Sequence, residues 1–115
     1  MICLVLPWPP SLNRYYRAVN NRVLISKEGR IYRQIVERML LGVPTITSRC
    51  SVCIQAYPPD RRKRDLDNIQ KAALDALQHG GAIQDDGLID SIVVDRMPAT
   101  KPGRLYVTIT ERREP

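Results

Sequence analysis

The sequence predicts a single α+β domain over residues 1–115, in which two helices pack on a mixed β-sheet. Three observations support this fold class. Short apolar runs typical of strands alternate with two longer segments of helical periodicity, and the last two runs are separated only by a short turn. A chain of 115 residues has the length of one domain, and no repeat, low-complexity stretch or linker divides it.

The first half of the chain is predicted to form a strand, a short second strand and a helix, at residues 2–6, 23–25 and 27–41. The first strand is a continuous apolar run that stops at the stiff, proline-rich segment 7–11. Residues 14–21 are basic and aromatic, and we interpret them as a loop. The helix has apolar residues at helical spacing, with Ser26 as its N-cap and Gly42 at its end.

The second half is predicted to form a strand, a helix and two further strands, at residues 51–57, 66–79, 89–97 and 104–110. On a 3.6-residue wheel the helix carries Ile69, Ala73 and Leu77 on one side, and a pair of glycines ends it. Residues 98–103 make a turn between the last two strands. We therefore expect those two strands to pair with each other as an antiparallel hairpin.

The charge balance is the first indication of function. Eighteen basic residues oppose twelve acidic ones, which gives a net charge of +6, and fourteen of the basic residues are arginine. Arginine is the side chain best suited to bidentate contact with phosphate, so a nucleic-acid partner is one interpretation. Many basic proteins have no nucleic-acid partner, so the charge alone does not separate these two interpretations and the motifs are needed.

Several classes of protein find no support in the sequence. No apolar run approaches the ~20 residues that cross a bilayer, and the apolar start lacks the basic flank of a signal peptide, so we expect a cytoplasmic protein without a membrane partner. No Walker-type or G-x-G-x-x-G loop is present, which argues against a nucleotide cofactor. We expect Cys3, Cys50 and Cys53 to be small core residues, because positions three apart on a strand face opposite ways and cannot share a zinc ion.

Chemistry-bearing residues are densest in segment 60–71, which reads DRRKRDLDNIQK. Four consecutive cations precede a D-x-D sequence at the start of the second helix. The helical wheel places Asp67, Lys71 and Asp75 in line on the polar side of that helix. This polar stripe of the helix therefore begins directly after the basic run.

A second acidic pair, Asp85–Asp86, lies in a loop after this helix, next to a glycine and before a strand. Mg²⁺ prefers oxygen ligands and usually takes only a few carboxylates, leaving places for water and phosphate. Asp65 and Asp67 from one element, with Asp86 or Asp85 from another, could supply such a site. Surrounding cations suit a polyanionic substrate, for which the metal would activate water and Lys71 would offset charge.

A structural interpretation of the same residues stays open. Acidic residues in a first helical turn offset the helix dipole, and Asp67 with Lys71 makes an ordinary i,i+4 ion pair. The cations at 61–64 would then form a solvated loop. His79, the only histidine, is most simply a favourable charge at the end of the second helix.

Segment 8–17 mixes aromatic and basic side chains in a way that suits unpaired or distorted DNA. We expect Arg14 and Arg17 to contact phosphate, with Lys101 near the later turn as a further candidate. The alternative for Trp8 is that it packs under the edge of the sheet.

These motifs together resemble the RusA family of Holliday-junction resolvases, found in bacteria and in their phages and prophages. The matching pieces, in chain order, lie within residues 6–17, 60–77, 85–86 and 100–105. The basic run joined to D-L-D-N-x-x-K is the most specific of them. Lys63 departs from an uninterrupted arginine run, which keeps the charge but loses one bidentate fork.

The resemblance implies a homodimeric, Mg²⁺-dependent endodeoxyribonuclease that resolves four-way junctions by paired nicks in recombination and repair, with Mn²⁺ as a possible substitute. It maps the essential carboxylates of the family onto Asp65, Asp67 and Asp86 and its functional lysine onto Lys71, with a lesser role for Asp85. The expected contacts to the DNA backbone are Arg14, Arg17, Arg61, Arg62, Lys63, Arg64 and Lys101.

Two other functions are compatible with the same sequence. The same charge pattern would suit a junction- or single-strand-binding module without activity. It would also suit a metal-dependent nuclease that acts on flaps or RNA. Only a comparison of substrates separates the three.

Overall fold

The structure, a computed structural model, describes residues 1–112. Its elements in chain order are β1 Ile2–Pro7, α1 Leu12–Tyr15, β2 Tyr16–Val19, β3 Arg22–Ile25, α2 Lys27–Met39, β4 Cys50–Tyr57, α3 Leu66–His79, β5 Ile89–Arg96 and β6 Arg104–Glu111. A single 3₁₀ turn, Asp86–Leu88, leads into β5. Within residues 1–112, no helix is long and apolar enough to cross a membrane.

The main sheet has four strands in the order β1-β6-β4-β5. Strand β6 is antiparallel to both β1 and β4, whereas β4 and β5 are parallel. Helix α3 connects those two parallel strands, as a crossover connection must. The predicted α+β class with a mixed sheet is therefore confirmed. Strands β2 and β3 form a separate two-stranded ribbon.

The predicted antiparallel hairpin of the last two strands is wrong, because β4 lies between β5 and β6. The physical reason is burial. Val107 and Ile109 of β6 are fully buried, which suits a central strand, while Ile92 and Val93 of β5 are 36% and 47% exposed. Strand β5 therefore takes the edge of the sheet, and its partner is set by the crossover through α3 rather than by the nearest turn.

The segment interpreted as a loop at 14–21 contains a short helix and half of a hairpin instead. Strands β2 and β3 pair in antiparallel register across a two-residue turn. Asn20 and Asn21 of that turn have φ of 49° and 62°, a left-handed conformation that asparagine tolerates better than most residues. The Asn-Asn pair was the available signal for this hairpin.

Both predicted helices are present. Ser26 caps α2 as expected, since its Oγ accepts the N–H of Gly29 at 3.0 Å. Helix α2 ends at Met39, two residues earlier than predicted. Its buried residues are Tyr32 and Val36, while the parallel apolar row Ile31, Ile35 and Met39 stays 40–45% exposed. Helix α3 has the predicted bounds, and Ile69, Ala73 and Leu77 are buried.

The cysteines do not behave uniformly. Cys50 is buried in β4 as expected of a core residue, whereas Cys53 is half-buried and Cys3 is exposed. The expectation of three core cysteines is therefore wrong for Cys3. That residue lies on the face of β1 opposite to buried Leu6, because side chains alternate along a strand.

A partly buried ion-pair network holds the helices together. Arg33 of α2 donates two hydrogen bonds of 2.8 Å to the carboxylate of Asp75 in α3, which also accepts the hydroxyl of Tyr15. Burial by itself raises the pKa of Asp75, but these donors outweigh it and hold that pKa below its usual value. Burial and the hydrogen bond to Asp75 raise the pKa of Tyr15. The network fixes Tyr15 and its neighbour Tyr16 against α3.

Gly103, in the turn between β5 and β6, is expected to tolerate no side chain. Its φ is +90°, and an added Cβ would lie 2.9 Å from Pro59 Cδ and 3.0 Å from Trp8 Cβ. We expect Gly103→Ala to lower the free energy of unfolding by about 1–3 kcal/mol in urea denaturation. Gly42→Ala is the matched control, since φ is +81° there and nothing lies within 4 Å of the added Cβ. Equal losses in the two variants would contradict a contact with Trp8 and Pro59.

Candidate active site

Two free carboxylates lie at the start of α3. Asp65 occupies the N-cap position, yet its side chain makes no capping hydrogen bond. Asp67 follows in the first helical turn, and both residues are exposed. Within residues 1–112, neither carboxylate has a hydrogen bond or an ion pair from another side chain. Both are therefore available to a ligand.

The basic loop, residues 60–64, is ordered around Asp60. Its carboxylate accepts the backbone N–H of Arg62 at 2.9 Å and pairs with Arg64 at 2.8 Å. The hydrogen bond from Arg64, followed by that from Arg62, lowers the pKa of Asp60 to about 2. The Arg64 guanidinium also lies 5.5 Å from the centre of the Trp8 ring. Arg64 thus fixes the loop onto the proline-rich segment.

The remaining cations of the loop are exposed and can bind an anion. The Arg62 side chain is 85% exposed, against 23% for Arg64. Arg61 and Lys63 are exposed, with no acidic partner in the part of the chain that the structure describes. Of the four predicted phosphate contacts in the loop, Arg64 is the most engaged by other groups, while Arg62 also lies 3.8 Å from the Asp60 carboxylate.

A cleft of about 540 Å³ separates the basic loop from the proline-rich segment. Asp65 and Asn68 of α3 line it together with Arg14, Arg62 and Lys63. The structure therefore brings Arg14 to one predicted metal ligand and to two cations of the basic loop. Arg17 and Lys101, also predicted to contact DNA, are exposed and lie outside this cleft.

Lys71 lies against an aromatic ring rather than against an acid. Its Nζ is 5.6 Å from the centre of the Tyr16 ring, a cation–π contact. No ion pair joins Lys71 to Asp67 within residues 1–112, so the i,i+4 pair of the structural interpretation is absent. Asp75 on the same stripe belongs to the network with Arg33 and Tyr15.

The second acidic pair lies at the other end of α3. The Arg49 guanidinium, just before β4, donates to the carbonyl of Gly87 at 3.4 Å, so residues 85–87 lie beside the start of β4. Helix α3 begins at the opposite end, where the Arg64 carbonyl accepts a hydrogen bond from Arg96 at the end of β5. Fourteen residues of helix separate the two places, about 21 Å at 1.5 Å per residue.

A three-carboxylate metal site does not fit one chain. Among residues 1–112, no three His, Cys, Asp or Glu side chains lie close enough to share an ion. Asp65 and Asp67 lie together, whereas Asp86 is exposed at the distant end of α3. The Asp85 carboxylate accepts the N–H of Gly87 at 3.3 Å and so is already used locally. Asp86 has no such bond and is the freer carboxylate of that pair.

Sequence reasoning missed two side chains at this site and did not place a third. Glu28 lines the cleft with Asp65 and Arg96 holds the start of α3, while Tyr16, from a recognised motif, lies under Lys71. Each reaches the site from a distant part of the chain, through packing that no local pattern reports. Asn68 lies inside the quoted motif, three residues after Asp65. Because one helical turn brings such positions together, the sequence alone could have placed Asn68 beside Asp65.

Comparison with known proteins identifies the family of this chain. Residues 7–110 match the family model described as Endodeoxyribonuclease RusA. The chain belongs to the RusA family. It is 47% identical over 111 residues, covering 94% of this chain and 92% of the relative, to the crossover junction endodeoxyribonuclease rusA of Enterobacteria phage 82. The crossover junction endodeoxyribonuclease RusA of Escherichia coli strain K12 is 46% identical over the same shares. The protein is thus an enzyme of the endodeoxyribonuclease class.

Tyr16 is expected to position Lys71 for the nuclease reaction of the RusA family. Because the contact uses the ring and not the hydroxyl, Tyr16→Phe should cleave DNA within about twofold of the original chain. Tyr16→Leu should lose about 2- to 30-fold in single-turnover rate, the range of a cation–π contact worth roughly 0.5–2 kcal/mol. Equal rates for the leucine and phenylalanine variants would contradict this role.

Proposed function

We propose that this chain is a crossover junction endodeoxyribonuclease that resolves four-way DNA junctions by paired, symmetric nicks, in recombination and repair. The observation that carries the proposal is the cleft in which Asp65 has a free carboxylate among Arg14, Arg62 and Lys63. A carboxylate held open among cations is useful where a polyanion must be brought to a metal ion. The names of the relatives supply the substrate, a DNA crossover.

We propose Mg²⁺ as the metal, with Mn²⁺ able to replace it, and a homodimer as the unit that binds it. Two observations support the dimer. Asp86 lies too far from Asp65 and Asp67 of its own chain, and β5 is an edge strand with exposed apolar residues. If two copies pair their β5 edges antiparallel about a two-fold axis, the beginning of one β5 meets the end of the other.

This pairing carries Asp86 of the partner subunit toward Asp65 and Asp67. The end of β5 is where Arg96 holds the start of α3, so a residue just before the partner's β5 arrives on that side. Each dimer then has two equivalent sites, one for each of two opposed strands of the junction. Two symmetric sites are what paired nicks require.

The chain's own residues have separable roles in the proposed reaction. Arg14, Arg17, Arg61 and Arg62, with Lys63 and Lys101, hold the phosphate backbone. Lys71, kept in place by Tyr16, offsets the negative charge that grows on the phosphate being cleaved. When bound, Mg²⁺ supplies an activated water and further charge neutralisation at the carboxylates.

We infer that the protein works in the cytoplasm of a bacterium and is encoded by the host or by a phage. The inference rests on its substrate and on its relatives, which come from an enterobacterial phage and from Escherichia coli and Shigella sonnei.

A panel of DNA substrates tests the proposal. A non-migrating four-way junction, a flap, a linear duplex and a single strand are each incubated with the protein in Mg²⁺ and in Mn²⁺. We expect cleavage of the junction alone, and binding that weakens steeply as salt rises because it depends on phosphate contacts. Tight binding to the junction without cleavage in either metal would make the protein a binding module. Faster cleavage of the flap would replace the junction as substrate.

A further inference from the structure

A second cavity, of about 250 Å³, lies next to the cleft and has a different character. Its apolar lining includes Ala56, Pro58, Leu66 and Met97, with Trp8 at one side. We call it the apolar pocket. It shares Trp8 and residues 62–64 with the cleft, so the two spaces adjoin across the basic loop.

The walls of the apolar pocket are held in place by hydrogen bonds. The N–H of Met97 donates to the carbonyl of Ala56 at 2.8 Å, and that of Thr100 donates to the carbonyl of Pro58 at 2.7 Å. Arg96 reaches across to the carbonyl of Arg64. The pocket is therefore formed before any ligand arrives, which lowers the entropic cost of filling it.

The lining defines the chemistry of the ligand. An apolar space with an indole on one side suits an uncharged aromatic ring, and the surrounding cations of the basic loop suit a phosphate attached to that ring. The volume is just under the roughly 300 Å³ at which pockets for drug-sized molecules begin, so it accommodates one ring system and not a base pair. A single nucleobase on a DNA strand meets all of these conditions.

We propose that the apolar pocket receives one unstacked nucleobase of the junction, next to the phosphate that the cleft holds beside Asp65. This inference rests on the proposed function, since it deepens the description of the same site. Unstacking a base costs a few kcal/mol and least where pairing is already disturbed, as it is at a branch point. The pocket therefore favours the branch over a continuous duplex.

The pocket offers its own fluorescent reporter, because Trp8 is the only tryptophan of the chain. The full-length Asp67→Asn protein is titrated with an intact four-way junction, and Trp8 emission is recorded. The titration is repeated with junctions that carry one abasic residue at successive positions around the crossover. We expect quenching by the intact junction, and loss of that quenching when the abasic residue occupies one position next to the cleaved phosphate. Quenching that is absent, or that survives every abasic position, would overturn the proposal.

A pocket-filling variant gives an independent readout. Ala99 is exposed at the rim of the apolar pocket, so Ala99→Leu should fold and narrow the opening. We expect it to slow junction cleavage by about 5- to 150-fold, the range for loss of one base–aromatic stack, and to regain rate on the abasic junction. Ala18→Leu is the matched control, since Ala18 is exposed on β2 and does not line the pocket.

The outcomes separate this inference from the proposed function. If Ala99→Leu cleaves like Ala18→Leu, the pocket holds no base, although the protein remains a resolvase. If the unaltered protein does not cleave the junction at all, the proposed function itself fails.

Discussion

Asp67→Asn is expected to abolish cleavage of a four-way junction while leaving its binding intact. The Asp67 carboxylate is exposed on the first turn of α3 and has no partner within residues 1–112, so its proposed role is to hold the metal. Replacing it should lower the single-turnover rate by about a thousandfold or more, since metal coordination supplies several kcal/mol of transition-state stabilisation. Binding, measured by gel shift, should change by less than threefold because it depends on the cations.

Glu28→Gln is the matched control for this result. Glu28 lines the cleft beside the proposed metal ligands, and the substitution removes the same charge with the same change of shape, but no metal contact is proposed for it. We expect its cleavage rate to stay within about tenfold of the original, because the substitution changes the local charge but removes no metal ligand. An equal loss in both variants, or a loss of junction binding in Asp67→Asn, would contradict the proposed role of Asp67.

Mixed dimers should show that the two ends of α3 serve different active sites. Asp67→Asn and Asp86→Asn homodimers are each expected to be inactive. In a heterodimer with one chain of each kind, one composite site is intact, because it combines the unaltered Asp67 of one chain with Asp86 of the other. Refolding equal amounts of the two variants together should make about half of the dimers heterodimers, each able to nick one strand, and so restore about a quarter of the original number of sites.

The reciprocal mixture is a second test of whether each active site is shared between two chains. An unaltered chain paired with an Asp67→Asn, Asp86→Asn double variant has both composite sites broken and should be inactive. Sites built within single chains would reverse both results, with no rescue in the first heterodimer and activity in the second. Mn²⁺ titration by calorimetry should agree, with the rescued heterodimer binding half as many ions as the unaltered dimer.

Local signals were sufficient for the two long helices, α2 and α3. The D-x-D sequence, the apolar positions at helical spacing and the closing glycines predicted α3 to its observed bounds. Ser26 likewise located the start of α2. The choice of buried face on α2 was harder, because Ile31 and Ile35 form one apolar row and Tyr32 and Val36 form another beside it. Only packing against α1 and α3 decides which of the two rows is buried.

Strand order depends on contacts that no local pattern contains, and it is where the prediction failed. The assumption that β5 and β6 pair as neighbours left the start of β5 unplaced relative to α3. Parallel pairing of β4 with β5 places Asp86 at the far end of that helix from Asp65. The sequence therefore predicted the identity of the acidic residues but not their separation, and it is this separation that makes a second subunit necessary to the proposed site.

The contact between Tyr16 and Lys71 shows the same limit at the level of single residues. Both belong to motifs that were recognised, yet their approach depends on Tyr15 being held by Asp75 and Arg33. Those three residues come from three different elements. A spacing rule describes one helix at a time and cannot predict such a convergence.

The most direct test of resolution is to map and seal the products of one junction. A non-migrating four-way junction, labelled on each strand in turn, is cleaved in Mg²⁺ and the products are treated with DNA ligase. We predict two nicks at symmetric positions on opposed strands, each with a 5′-phosphate and a 3′-hydroxyl that the ligase seals into linear duplexes. Unpaired nicks, or ends that the ligase cannot seal, would contradict the assignment of this chain as a junction resolvase.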